Sequence, residues 1–251
     1  MQKEHLFKYL LRLGDNSLIH GHRLTELCSK GPILEEDIAL SNIALDLIGQ
    51  ARMFYQYAAT IEGKSRTEDD LAYKRKEHEF YSCLLMEQPN GDFAKTILKL
   101  FFTSIFNEQL YTELLKSEDT EIAAIAAKSL KEVKYHVRHT QQWVLRLGDG
   151  TEESHTRISN ALDELWMFTG ELFQSDEIEE TLLESGIGAD LSKIQSAWKE
   201  RVNAVLIEAT LTVPENDWAQ TGGKNGYHSE HLGFLLAEMQ YLPNAYPDAI
   251  W

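Results

Sequence analysis

Nine histidines and 40 Asp plus Glu residues give this 251-residue chain the raw material for a metal centre. Spacing decides whether it is used. A carboxylate and an imidazole three residues apart share one helical face and can reach one ion. An oxygen-activating pair of irons in a helical bundle needs two such Glu-x-x-His pairs and one further Glu from each of two other helices. Of the nine histidines, only His155 has a Glu three residues earlier, Glu152, and this pair follows a Gly-Asp-Gly break where a solvated first helical turn is expected. In the cluster 131–139 (KEVKYHVRH), Glu132 has His136 at the fourth position, and no carboxylate lies between His136 and His139. That spacing favours a polar network between helices, then a partner interface, over a metal site. His228 and His231 follow the TGGKNG segment 221–226 with no third ligand fixed by sequence, so capping, docking and ion binding remain open in that order.

Asp46, among Leu45, Leu47 and Ile48, is the carboxylate expected to face a core. Burial would require a partner, for which Arg52 or a cation between Lys74 and Lys76 is available; a weak ion site or plain exposure are the alternatives. Glu77, Glu79, Glu108 and Glu113 are further interior candidates that helical phase leaves unassigned. Gly222-Gly223-Lys224 lacks the rest of a phosphate-binding P-loop, and no Gly-x-Ser-x-Gly elbow occurs. Cys28 and Cys83 form no Cys-x-x-Cys pair and suit a reducing cytoplasm. No residue of the chain is therefore assigned as catalytic, cofactor-binding or metal-ligating.

The elements that would position these groups are helices. All five prolines fall between or after periodic segments, and no run of alternating β-branched residues suggests strands. The pattern predicts a helix over 5–13 stopped by Gly14, a second capped by Asp15 and reaching about Lys30, and a long third from the acidic 35–37 to Gly63. Others follow over 69–87, 93–116, 118–147 and 151–173, with Gly170 as a weak point. A short acidic helix opens at Ser175 or Asp176 and another at Asp190, both expected at the periphery. The loop 212–226 is the candidate docking segment, and Ser229 caps a last helix to about Leu242, before a tail ending in Trp251. The echo of LRLGD at 11–15 and 145–149 is read as the same turn chemistry twice: helix, glycine stop, Asp. The sum is one all-α, multi-helix bundle domain over 1–251, with a C-terminal extension from about 212.

A formal charge of -16 repels phosphate backbones and anionic lipids, so nucleic acid is excluded as a partner, though a local basic patch can still act. The first residues lack a signal-like apolar run and no segment approaches membrane-crossing length, so a cytoplasmic protein is expected.

Several segments resemble the structural C subunits of the bacterial 1,2-phenylacetyl-CoA epoxidases, in order and over nearly the whole chain. They are 42–52 (NIALDLIGQAR), 87–94 (EQPNGDFA), 131–136 (KEVKYH), 221–232 (TGGKNGYHSEHL) and 236–242 (LAEMQYL). The resemblance implies a ferritin-like fold and a noncatalytic subunit paired with a homologous catalytic subunit that carries the di-iron centre. It also implies a small bridging subunit and a reductase using FAD, an iron-sulfur centre and NADPH. Contact with the CoA ester is possible under the same reading. The competing readings are a divergent di-iron oxygenase acting alone, and a CoA-ester binding module built around Lys224.

Overall fold

The computed structural model describes residues 2–215, 218–247 and 249, so Trp251 lies outside the described residues. Every regular element among these residues is helical, as the all-α, ferritin-like reading requires. The chain divides into two compact units, Met1–Pro89 with Thr221–Trp251, and Asn90–Gln220.

The first unit is built on α1 (Gln2–Thr25) and α2 (Leu34–Glu62), two long helices packed on one another. Glu35, Glu36 and Asp37 oppose the dipole in the first turn of α2, and Gly63 closes it at φ 73°, where a side chain would be strained. Its buried residues Leu40, Ile43, Ala44, Leu47, Ala51, Phe54 and Ala58 keep three- and four-residue spacing.

The expected stop at Gly14 does not occur, because α1 runs straight through it. Gly14 is small for a packing reason: a Cβ there would sit 2.6 Å from Cε1 of the Tyr55 ring. Gly14→Ala is therefore expected to destabilise by about 1–3 kcal/mol through overpacking. The helical Gly49 is its counterpart, since nothing lies within 4 Å of a Cβ built on it, and Gly49→Ala should stabilise by up to about 1 kcal/mol. Urea unfolding of the two variants checks both signs.

The single helix expected over 69–87 is also absent. In its place stand α3 (Glu68–Tyr73), which Thr67 opens with a capping box, one 3-10 turn (Glu77–Glu79) and α4 (Leu84–Glu87). The residues between them include the fully buried Phe80, Ser82 and Cys83, so their backbone polar groups need partners from elsewhere.

The second unit holds α5 (Phe93–Leu114), α6 (Thr120–Gly148), α7 (Glu152–Trp166), α8 (Glu177–Glu184) and α9 (Leu191–Glu208). Asp92, Asp119, Thr151, Asp176 and Asp190 cap them in turn, each accepting from a backbone N–H of the first turn. The helix from Thr151 stops at Trp166, short of the expected Phe173, and a 3-10 turn (Gly170–Phe173) follows. Gly170 faces the Ala219 methyl, 2.5 Å from where a Cβ would sit. Though read as peripheral, α9 buries Trp198, whose indole N–H donates to the Phe102 carbonyl at 2.9 Å amid Phe102, Trp166 and Phe173. Gly148 ends α6 against Ala209. The two LRLGD copies thus play different parts, one inside a helix and one at a helix end.

After Thr221 the chain belongs again to the first unit, through a 3-10 turn (Gly223–Asn225), α10 (Glu230–Met239) and α11 (Tyr241–Ala245).

Candidate functional site

The most concentrated polar chemistry in the first unit is a buried ionic network. Because α1 is continuous, Asp15 falls on its buried side with no exposure at all. Its carboxylate takes two donors from Arg75, Nη1 at 3.1 Å and Nη2, with the Tyr55 hydroxyl at 2.5 Å and the Tyr81 N–H at 2.6 Å. Arg75 donates onward to the carbonyls of Leu71 and Glu79, and its guanidinium lies 4.0 Å from the Phe80 ring centroid. Burial depresses proton binding at Arg75, but Asp15 outweighs it and holds the guanidinium protonated; burial, then Asp15, pushes the Tyr55 hydroxyl well above its ordinary value. Asn16 accepts from the Cys83 N–H at 2.7 Å. Side chains of α1 thus satisfy the irregular backbone at Tyr81 and Cys83, which is why this stretch needs no helix.

Glu87 is the other fully buried carboxylate among the described residues of the first unit. It accepts from the Ser229 N–H at 2.6 Å and faces His228 Nδ1 at 2.9 Å, while His228 Nε2 lies 2.9 Å from the Phe80 carbonyl. Both ring nitrogens therefore face acceptors, and only the doubly protonated imidazolium can donate to both. Arg23 bonds the Glu87 carbonyl at 2.9 Å and the His231 carbonyl at 2.7 Å, and Arg12 bonds the Lys224 carbonyl at 3.1 Å. Gly223 leaves no room for a Cβ beside the Ser82 carbonyl, nor does Gly226, at φ 80°, beside the His78 carbonyl. These contacts clasp the segment 221–231 into its own unit, and Lys224 is buried.

This clasp depends on a proton. Burial lowers the His228 pKa, but the bonds to Glu87 and to the Phe80 carbonyl, with the charges of Glu87 and Asp15, leave it raised overall. A raised folded pKa contributes stability that is complete below the unfolded value of about 6.5 and is lost as pH rises through the folded one. The melting midpoint of the chain should therefore exceed that of His228→Gln most at about pH 6, and the gap should narrow towards about pH 9. Parallel curves would contradict it.

The other sequence candidates are dispersed. Asp46 is half-buried on α2, while Arg52 pairs with Glu68, Lys74 with Asp70 and Arg75 with Asp15, so the expected buried carboxylate is Asp15 and not Asp46. Glu152 is exposed, and His155 Nδ1 lies 2.7 Å from the Gly148 carbonyl, tying α7 to the end of α6. Glu79 accepts from the Lys76 N–H, Glu77 is exposed, Glu108 pairs with Arg201, and Glu113 with Lys116 and Lys193. His136 is buried, whereas His139 stacks on Tyr135 with centroids 5.8 Å apart. Among the described residues no three His, Cys, Asp or Glu side chains converge as metal ligands do. In the first unit Asp15 and Glu87 already hold cations and N–H donors, so this buried network does not fit a two-iron group.

Sequence reasoning missed Asp15 as a buried acid, together with Tyr55 and Glu87, whereas Arg75 is among the cations it offered to a buried carboxylate and pairs with Asp15 in place of Asp46. The legible signal was phase: Leu11, Asp15 and Leu18 continue one stripe at four- and three-residue spacing once Gly14 is not taken as a stop.

A recess of about 810 Å³ between α3 and the C-terminal helices is lined by Tyr73, Leu242, Pro243 and Tyr246, with Asp69, Asp70 and Glu238 on its wall. With Lys74 as the one cation in that lining, the three carboxylates leave it net negative and unfavourable to a phosphorylated ligand. No described helix is long and apolar enough to cross a membrane.

The sequence pattern of the phenylacetic acid catabolic proteins matches residues 1–251. Across 246 residues the chain is 48% identical to the C subunit of the 1,2-phenylacetyl-CoA epoxidase of Escherichia coli (strain K12), covering 98% of this chain and 99% of that protein. With a match over its full length and an identity near one half, the chain belongs to the phenylacetic acid catabolic protein family.

Proposed function

We propose that this chain is a noncatalytic structural subunit of a cytoplasmic multicomponent monooxygenase that epoxidises the aromatic ring of phenylacetyl-CoA. It stands beside a homologous catalytic subunit that holds the di-iron centre, with a small bridging subunit and a reductase carrying FAD and an iron-sulfur centre and drawing on NADPH. The likeness to one subunit of such an epoxidase over 98% of the chain carries this reading. The buried network of the first unit supports it: Asp15 and Glu87 spend their oxygens on Arg75, His228 and backbone N–H groups and leave none free for an ion there. Such a network gives a partner a rigid surface, and rigidity matters because errors of about 1 Å in reacting geometry substantially slow catalysis.

A stand-alone di-iron oxygenase would need ligands that these carboxylates do not supply. A CoA-binding module centred on Lys224 would need that residue exposed, and it is buried. The test is co-expression of the tagged chain with the untagged catalytic subunit, followed by mass determination and an epoxidation assay. The proposal expects a stable complex whose ring epoxidation exceeds that of the catalytic subunit alone. No complex, or equal activity without this chain, would overturn it.

A further inference from the structure

The cluster 131–139 has no part in the network described above, and α6 places it on a solvent face. Lys128, Lys131, Lys134, Arg138 and Arg146 are all exposed there, at spacings that keep them on one side of the helix over five turns, about 27 Å. The chain has 40 acidic residues against 24 Lys plus Arg, yet residues 127–146 contain five of those cations and a single acid, the half-buried Glu132. No described carboxylate pairs with Lys128, Lys131 or Lys134. Like charges at helical spacing repel, so the fold itself gains nothing from this arrangement.

The face is also ordered by rings. Tyr135, 41% exposed, stacks on His139 at 5.8 Å and 23°, with the Arg138 guanidinium 5.7 Å from the Tyr135 centroid; Arg146 sits 5.3 Å from the Trp143 centroid. Tyr and Arg held in place by stacking are the residue types that carry binding energy at protein interfaces. A small anion touches one or two cations, whereas a charge stripe of this length on one helix matches an extended surface of opposite sign.

We propose that the solvent face of α6 from Lys128 to Arg146 docks an acidic face of another protein chain, a component of the assembly in which this subunit works. The inference rests on the structural-subunit reading and adds the surface and the chemistry of what covers it. Charge complementarity of this kind acts most on association rate and register, and weakens with salt.

Lysine footprinting tests it on the complex purified from cells co-expressing the oxygenase components. Acetylation of Lys128, Lys131 and Lys134 should slow by about five-fold or more on assembly, while the exposed Lys30 keeps its rate. Zero-length carbodiimide coupling should join at least one of the three to an Asp or Glu of a different chain. Lys131→Glu with Lys134→Glu should leave the melting midpoint unchanged and weaken association by about ten-fold or more at low salt. If a complex forms and the three lysines keep their isolated-chain rates, the surface assignment falls and the subunit reading survives; if no complex forms, both fall. Equal protection in the isolated chain would assign the face to a second copy, and protection by coenzyme A alone to a phosphorylated ligand, and either result overturns the proposal.

Discussion

Asp15→Ala is expected to cost about 3–5 kcal/mol of stability, because it leaves the Arg75 guanidinium buried without a counter-charge. The same change removes the acceptor of the Tyr55 hydroxyl and the Tyr81 N–H. In a chain of this size the loss lowers the melting temperature by on the order of 10 °C. A paired replacement separates stranded charge from lost volume: Asp15→Leu with Arg75→Met removes both ions together and should recover most of the loss. Asp46→Ala is the control, since Asp46 is half-buried, and it should change stability by about 1 kcal/mol or less. Urea unfolding ranks the variants. Equal effects at Asp15 and Asp46 would show that the Asp15 pair does not hold the unit together.

Glu87→Ala should be nearly as damaging, about 3 kcal/mol, since it deprives the buried imidazolium of His228 and the Ser229 N–H of their acceptor. Its signature is local as well as global. The Glu87 carboxylate is a link between α4 and the start of α10, so amide exchange across residues 222–232 should accelerate more than that in α2. Glu87→Gln keeps an acceptor for one donor and loses the charge, so it should fall between the wild type and the alanine variant. Unchanged protection over 222–232 in Glu87→Ala would mean that the glycine contacts with Ser82 and His78 alone fix the segment.

Much of the fold was legible because its signals are local. The acidic first turn and Gly63 bound α2, and Thr151, Asp176, Asp190 and Ser229 stand at the helix starts where their side chains accept from free N–H groups. What escaped was set by distant contacts. Gly14 has the same local signature as Gly148, and only the ring of Tyr55, 41 positions further on, makes the first a packing glycine. The break after Tyr73 has no Gly or Pro to announce it before Pro89. It exists because Asp15, Asn16 and His228 bond the backbone of Phe80, Tyr81 and Cys83 better than a continued helix would serve the buried unit. The site was misread in step with the fold: once α1 is cut at Gly14, Asp15 becomes a cap and Asp46 is left as the candidate buried acid. The glycines around Lys224 carry no local sign of what they serve, which is the close approach of Gly223 and Gly226 to the Ser82 and His78 carbonyls.

We propose that Asp15 and Glu87 are closed off by the ion pairs of the first unit and that the di-iron chemistry lies with a partner chain. The most direct test is the iron content of the isolated, untagged chain after aerobic purification from iron-replete cells, measured by elemental analysis against protein concentration. Far less than one iron per chain is expected, unchanged in Asp15→Ala and Glu87→Ala; about two irons per chain, the load of a complete carboxylate-bridged site, would contradict the noncatalytic reading.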